Sequence, residues 1–258
     1  MRYQHPNPRP VQATVGFVSG PSDGTGTLRL PAPVRAAALA ALGESSLRAE
    51  FAWMSWAGTV WRLVGGSGAV YVKRAANLEA ERVRTVWLAG RWPVPEVIGF
   101  FKAFGDEWLL TREVPGVPLH HASLGWEPDR VARRLGEILR DIHSTDATGC
   151  PFGEAKPGRV LIHGDYCLPN VLVEDGRLTA LVDVGRSGIG DPRDDFAAAL
   201  WSLHYNFGHG YAHTFLDAYG VPPMTDRDTE RLRRRYGRPY TGKTVSTTRQ
   251  QYQAAIDR

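Results

Sequence analysis

The stretch Val160-Leu-Ile-His-Gly-Asp-Tyr-Cys-Leu-Pro-Asn-Val-Leu-Val173, followed by Leu181-Val-Asp-Val-Gly185, constrains this chain more than any other. Short apolar, β-branched runs broken by polar turn formers predict strand, loop and strand in succession. The breaks hold Asp165, Asn170 and Asp183. Taken singly, each reads as an ordinary turn former or loop cap. Taken together, they put three hard oxygen donors into a short span. Magnesium takes such donors and keeps waters and phosphate oxygens as its remaining ligands.

Transfer of a phosphoryl group to a hydroxyl asks for one carboxylate near the acceptor, a metal site made by an amide and a second carboxylate, and an anchored nucleotide. His163-Gly-Asp165, four residues, Asn170, and then Asp183-x-Gly185 have the spacing of the catalytic loop and metal-binding Asp of kinases. Together with Cys150-Pro-Phe152, Val182-Asp-Val-Gly-Arg-Ser-Gly188, Asp191 and Asp195, they resemble the aminoglycoside phosphotransferase family. That family lies within the kinase-like superfamily that also holds choline kinases. Weaker similarity runs from about Trp56 to Gly220.

The resemblance implies an α+β, bilobal, protein-kinase-like fold. Residues 1–113 would form a nucleotide-binding lobe around an antiparallel sheet, and residues 114–258 a mainly helical catalytic and acceptor lobe. ATP would be the co-substrate and magnesium the metal. The acceptor would be a hydroxyl of a small molecule, an aminoglycoside by family. Asp165 would be the catalytic carboxylate, with Asn170 and Asp183 on the metal. Two other readings stand beside this one: a kinase of a choline-like, sugar or amino-alcohol metabolite, and a nucleotide-binding remnant that phosphorylates nothing.

Composition narrows the field further. With 258 residues, 43% hydrophobic and 22% charged, the chain can bury one substantial core or two smaller ones. No apolar run reaches the roughly 18–20 residues that a membrane span needs. The N-terminus lacks a hydrophobic signal core, so a cytoplasmic protein without a membrane partner is expected. Cys150 and Cys167 are too few for a disulfide framework and have no metal-ligand spacing, which leaves them as free thiols. The pI of 9.2 does not make this a nucleic-acid binder. Residues 226–258 carry nine Lys/Arg against four acids, a surplus of five against a whole-chain net of +4, so the rest is slightly negative. An Arg run of this kind reads as a solvated helix face or tail.

Residues 1–33, rich in Pro and Gly, read as loosely ordered. An Ala/Leu segment from Pro33 to Leu42 predicts a helix stopped by Gly43. Leu47–Trp56, Thr59–Val64 and Ala69–Arg74 predict a small antiparallel sheet, with Gly58 and Thr59 at a turn over the nucleotide phosphates. Lys73 alone in Val70-Tyr-Val-Lys73 would ordinarily be an edge or solvent-facing lysine. The resemblance makes it the phosphate-contacting lysine instead, held by Glu81 of the next helix, with Glu79 as the fallback. It also makes residues near Arg112 to Val114 the hinge whose backbone would hold adenine. Val131, Leu135, Ile138, Leu139 and Ile142 form the apolar stripe of an amphipathic helix over Glu127–His143. Asp191 and Asp195 read as helix caps, but the resemblance has Asp195 holding the catalytic loop. His163 is expected to pack and hydrogen-bond rather than act as a base.

Three departures from the family pattern stand out. Only residues 153–162 separate Cys-Pro-Phe from His-Gly-Asp, where relatives carry several dozen residues beside the acceptor. An acidic position in the helix after Asp195 falls near His204, and the acidic, aromatic C-terminus is replaced by the basic tail of about 226–258.

Overall fold

The computed structural model describes residues 30–54 and 58–241. Helix α1 (Ala32–Leu42) ends at Gly43, which takes the left-handed conformation expected of a C-terminal cap. The expectations for residues 1–29 and 242–258 lie outside the described residues.

Strands β1 (Arg48–Met54), β2 (Thr59–Gly65) and β3 (Gly68–Ala75) are followed by α2 (Glu79–Leu88), β4 (Val97–Ala103) and β5 (Asp106–Arg112). They form one antiparallel sheet in the order β1-β2-β3-β5-β4. Side chains alternate between sheet faces. Trp61, Leu63, Val70, Val72, Trp108 and Leu110 therefore share one face, closed by Val34 and Ala38 of α1. The alternate residues Val60, Tyr71, Lys73, Leu109 and Thr111 turn to the other face and line a cleft. That alternation is why Lys73, next to the core residue Val72, faces the cleft and not the core.

Past Arg112 the chain runs through β6 (Val117–Pro118) to α3 (Pro128–His143). The predicted stripe of α3 is buried: Val131, Leu135, Ile138, Leu139 and Ile142 are each no more than 3% exposed. Next come β7 (Val160–Ile162), β8 (Val171–Glu174), β9 (Arg177–Leu181), β10 (Gly188–Gly190), α4 (Pro192–Phe207), α5 (Ala212–Tyr219) and α6 (Asp226–Thr241). Helix α3 packs on α5, and α4 packs on α6. The Arg-rich segment is thus a helix docked on the core, with Leu232 buried. Its arginines are tied to acids: Arg233 and Arg234 to Glu230, and Arg235 to Asp194.

The pairing of the short strands positions the site. Strand β7 pairs with β10, and β8 pairs with β9. The loop from β7 to β8 and the loop from β9 to β10 must therefore lie side by side, bringing residues 163–170 against residues 182–187. Among the described residues, no helix is long and apolar enough to cross a membrane.

Candidate active site

The two loops are fastened at their bases by buried polar groups. Asp195, fully buried in the first turn of α4, accepts hydrogen bonds from the backbone N–H groups of His163 (2.7 Å) and Gly164 (2.8 Å). Its Oδ2 also lies 3.1 Å from His143 Nε2, and His143 Nδ1 lies 3.0 Å from the Tyr219 hydroxyl. A buried carboxylate is tolerated only when its acceptor capacity is used in this way. Asp191, by contrast, caps α4, accepting from Arg193 N–H at 3.0 Å. His163 is fully buried; its Nε2 meets Val182 O at 3.0 Å while Nδ1 accepts from Asp165 N–H. That arrangement fits a neutral imidazole joining the two loops. Gly164 sits at φ +80°, and a Cβ there would come within 2.5 Å of Arg186 O, so the loops touch at a position only glycine fills.

Above these anchors, Asn170 Nδ2 donates to Asp165 O at 2.9 Å, and Val182 N–H donates to Asn170 O at 3.0 Å. Asp183 has a positive φ of 58°, a conformation Asp tolerates better than most residues. Its Oδ1 accepts from Lys73 Nζ at 2.9 Å, and Glu81 Oε2 accepts from the same ammonium at 2.6 Å. Helix α2 reaches this loop directly: Arg84 Nε donates to Ser187 O at 2.7 Å. Glu79 faces elsewhere and holds Arg82.

Burial pulls the Lys73 ammonium down, but the Glu81 and Asp183 carboxylates outweigh it and hold the lysine above its ordinary range. Burial pushes the Glu81 carboxyl up; Lys73 opposes this and Asp183 adds to it, leaving Glu81 raised. Both directions follow from one cation serving two carboxylates. The cluster sets one ammonium against two carboxylates.

Lys73, Glu81, Arg112, Val114, Asn170 and Asp183 all line one cleft of about 380 Å³. Arg112 N–H is bound to Glu96 O and Glu113 N–H to Ala69 O. Gly58 and Thr59 lie at the start of β2, where Thr59 pairs with Arg74, and neither lines that cleft. A Cβ at Gly58 would come within 2.1 Å of Arg74 O, so a close approach of two strands already accounts for this glycine. Residues 55–57, which complete that turn, are outside the described residues.

The Asp165 side chain points toward a residue that the sequence did not single out. Tyr236 of α6 donates its hydroxyl to Asp165 Oδ1. Cys167 Sγ lies 3.4 Å from the same oxygen and 3.6 Å from the Tyr236 hydroxyl. The only sequence signal for Tyr236 was an aromatic residue in an arginine run.

A family model, that of the APH phosphotransferase enzyme family, matches residues 49–157 and 153–234. The chain belongs to this phosphotransferase family. The phosphotransferase is 26% identical over 240 residues to an aminoglycoside 3'-phosphotransferase of Escherichia coli, a match covering 69% of this chain and 88% of that protein. It is 28% identical over 217 residues to a streptomycin 3''-kinase of Streptomyces griseus, covering 62% and 78%. Among solved structures, an aminoglycoside-3'-phosphotransferase of type VIII aligns with a TM-score of 0.55 at 26% identity, over 82% of this chain and 94% of that one. An aminoglycoside phosphotransferase of Streptomyces rimosus, in complex with ADP and streptomycin, shares the fold with a TM-score of 0.57 at 22% identity, over 75% and 92%. The fold is accordingly the α+β kinase-like one, and the enzyme is a phosphotransferase with an alcohol group as acceptor.

Proposed function

We propose that this phosphotransferase moves the γ-phosphoryl group of ATP to a hydroxyl of an aminoglycoside, with magnesium as the metal. The observation that carries this reading is the convergence of Lys73, Glu81, Asn170 and Asp183 on one cleft, beside Asp165, in a chain whose relatives are aminoglycoside 3'-phosphotransferases. Residues 1–113 and 114–258 are then the nucleotide-binding and catalytic lobes, and the enzyme works in the cytoplasm, where ATP is supplied.

The donor set fits magnesium. Asn170 commits its Nδ2 to Asp165 O, leaving Oδ1 as its remaining ligand atom, and Asp183 supplies a carboxylate. Among the described residues, no group of three or more His, Cys, Asp or Glu could hold a metal. Two protein oxygens suffice for magnesium, which keeps its waters and the nucleotide oxygens. When bound, the metal neutralises charge on the phosphate oxygens. Lys73 takes the α- and β-phosphates, and Glu81 holds it in place. The Val114 N–H, which makes no backbone hydrogen bond among the described residues, meets the adenine edge, while the Arg112 amide is already used. Asp165 orients the acceptor hydroxyl and takes its proton late in a loose transition state. Positioning and charge neutralisation supply most of the acceleration.

One observation favours a less cationic acceptor as the second reading. Asp191, Asp194 and Glu230 are each paired with arginine, and position 204 is a histidine, not a carboxylate. A polycation prefers a negative cleft. The deciding experiment is acceptor-dependent ADP release by the purified enzyme against a panel of aminoglycosides, choline-like amino alcohols and sugars, with Asp165→Ala alongside. Turnover on an aminoglycoside that vanishes in Asp165→Ala supports the leading reading, as does a rise in the inhibitory concentration of that drug for bacteria expressing the enzyme. Turnover confined to an uncharged or singly charged alcohol sinks it in favour of the second.

A further inference from the structure

We propose that the Tyr236 hydroxyl is an internal acceptor of the γ-phosphoryl group, so that the enzyme phosphorylates its own helix α6 at that residue. The inference rests on Asp165 being the carboxylate that receives the acceptor proton. A group in that role must accept a hydrogen bond from the hydroxyl about to be phosphorylated. In this structure the hydroxyl standing there belongs to Tyr236, which donates to Asp165 Oδ1.

The phenol is held in place. Its ring packs against Trp201 of α4 at a centroid separation of 5.5 Å, and its oxygen lies 3.6 Å from Cys167 Sγ. Helix α6 is fixed in the turn leading up to the tyrosine by buried Leu232 and by the Arg235–Asp194 ion pair at 2.6 Å. Asp165 is linked in turn to the proposed metal ligands, since Asn170 donates to its carbonyl. A hydroxyl held in this way reacts as an intramolecular partner with a high effective concentration.

The step balances without any further reactant. The phenolic oxygen bonds to the γ-phosphorus, the bond from that phosphorus to the β,γ-bridging oxygen breaks, and ADP leaves with the electron pair. The phenolic proton passes to the Asp165 carboxylate and from there to water. Burial, together with the nearby Cys167 and Asp165, holds the phenol protonated, so the reaction needs that carboxylate.

The test incubates the full chain with magnesium and ATP, without any acceptor, followed by intact mass and Glu-C peptide mapping. One phosphate per chain is expected, on the peptide beginning at Arg231, with a rate that does not change with protein concentration. Asp165→Asn should slow labelling by about a hundredfold or more. Tyr236→Phe keeps the ring against Trp201 and should abolish the label. A preparation that phosphorylates an added aminoglycoside or amino alcohol but leaves Tyr236 unmodified overturns the inference while the function stands. Labelling that rises in proportion to protein concentration, or that falls on another residue such as Tyr205, also overturns it. A protein that does neither removes the proposed function, and this inference with it.

Discussion

Asp195 holds two backbone N–H groups and a histidine without any exposure to water. Its replacement by Ala leaves buried donors unmet, at a cost of about 1–3 kcal/mol for each group. We therefore expect Asp195→Ala to lower stability by about 3 kcal/mol or more in urea titration and to reduce turnover with it, because the loop carrying Asp165 loses its fastening. Cys167 gives a second prediction. Burial, and then the charge of Asp165, push its thiol up, whereas Cys150 is only half-buried. Iodoacetamide at neutral pH should therefore modify Cys150 first and leave Cys167 unreacted in the native enzyme, as peptide mapping would show. Equal labelling of the two would contradict the packing described here. At this scale Asp165, Asn170 and Asp183 were legible because their spacing is local. The choice of Glu81 over Glu79 came from the family resemblance and not from the local pattern, since both lie in the first turn of one helix; the docking of that helix brings Glu81 to Lys73.

Helix α3 was readable as an element because its apolar period repeats over sixteen residues. Helix α6 was not, since its pattern is dominated by arginines, and its order comes from packing on α4 and from pairs with acids one turn away. Glu230 is the centre of those pairs. Its hydrogen bonds from Arg233 and then Arg234 outweigh desolvation and hold its carboxyl down at about 2. A lowered folded-state value contributes stability above the ordinary range of the group and loses it as pH falls through that range toward the folded value. The melting-temperature difference between the native enzyme and Glu230→Gln should be full at neutral pH and shrink below about pH 4.5. A difference that is constant down to pH 3 would show that the pairs do not hold α6.

For the whole molecule, the proposed function makes the cleft between sheet and helices the place where nucleotide binding and folding are linked. A ligand that binds only the folded state stabilises it by about 2.7 kcal/mol at a hundred times its Kd, which for a chain of this size raises Tm by about 5–10 °C. Saturating magnesium and ATP should produce such a shift in the native enzyme, and Lys73→Ala should lose most of it. An equal shift in Lys73→Ala would remove that lysine from the nucleotide site.

The sequence by itself determined the chemistry and its local frame. A carboxylate, an amide and a second carboxylate at kinase spacing lie within one span of chain, and strand and helix periods are local properties of neighbouring residues. The tertiary structure alone decided what faces that chemistry from far along the chain. Lys73 meets Asp183 across 110 residues, and Tyr236 meets Asp165 across 71. The physical reason is that such contacts depend on how β7 pairs with β10 and how α6 settles on α4. Those arrangements are fixed by burying side chains from many elements at once, and no short stretch of sequence encodes them.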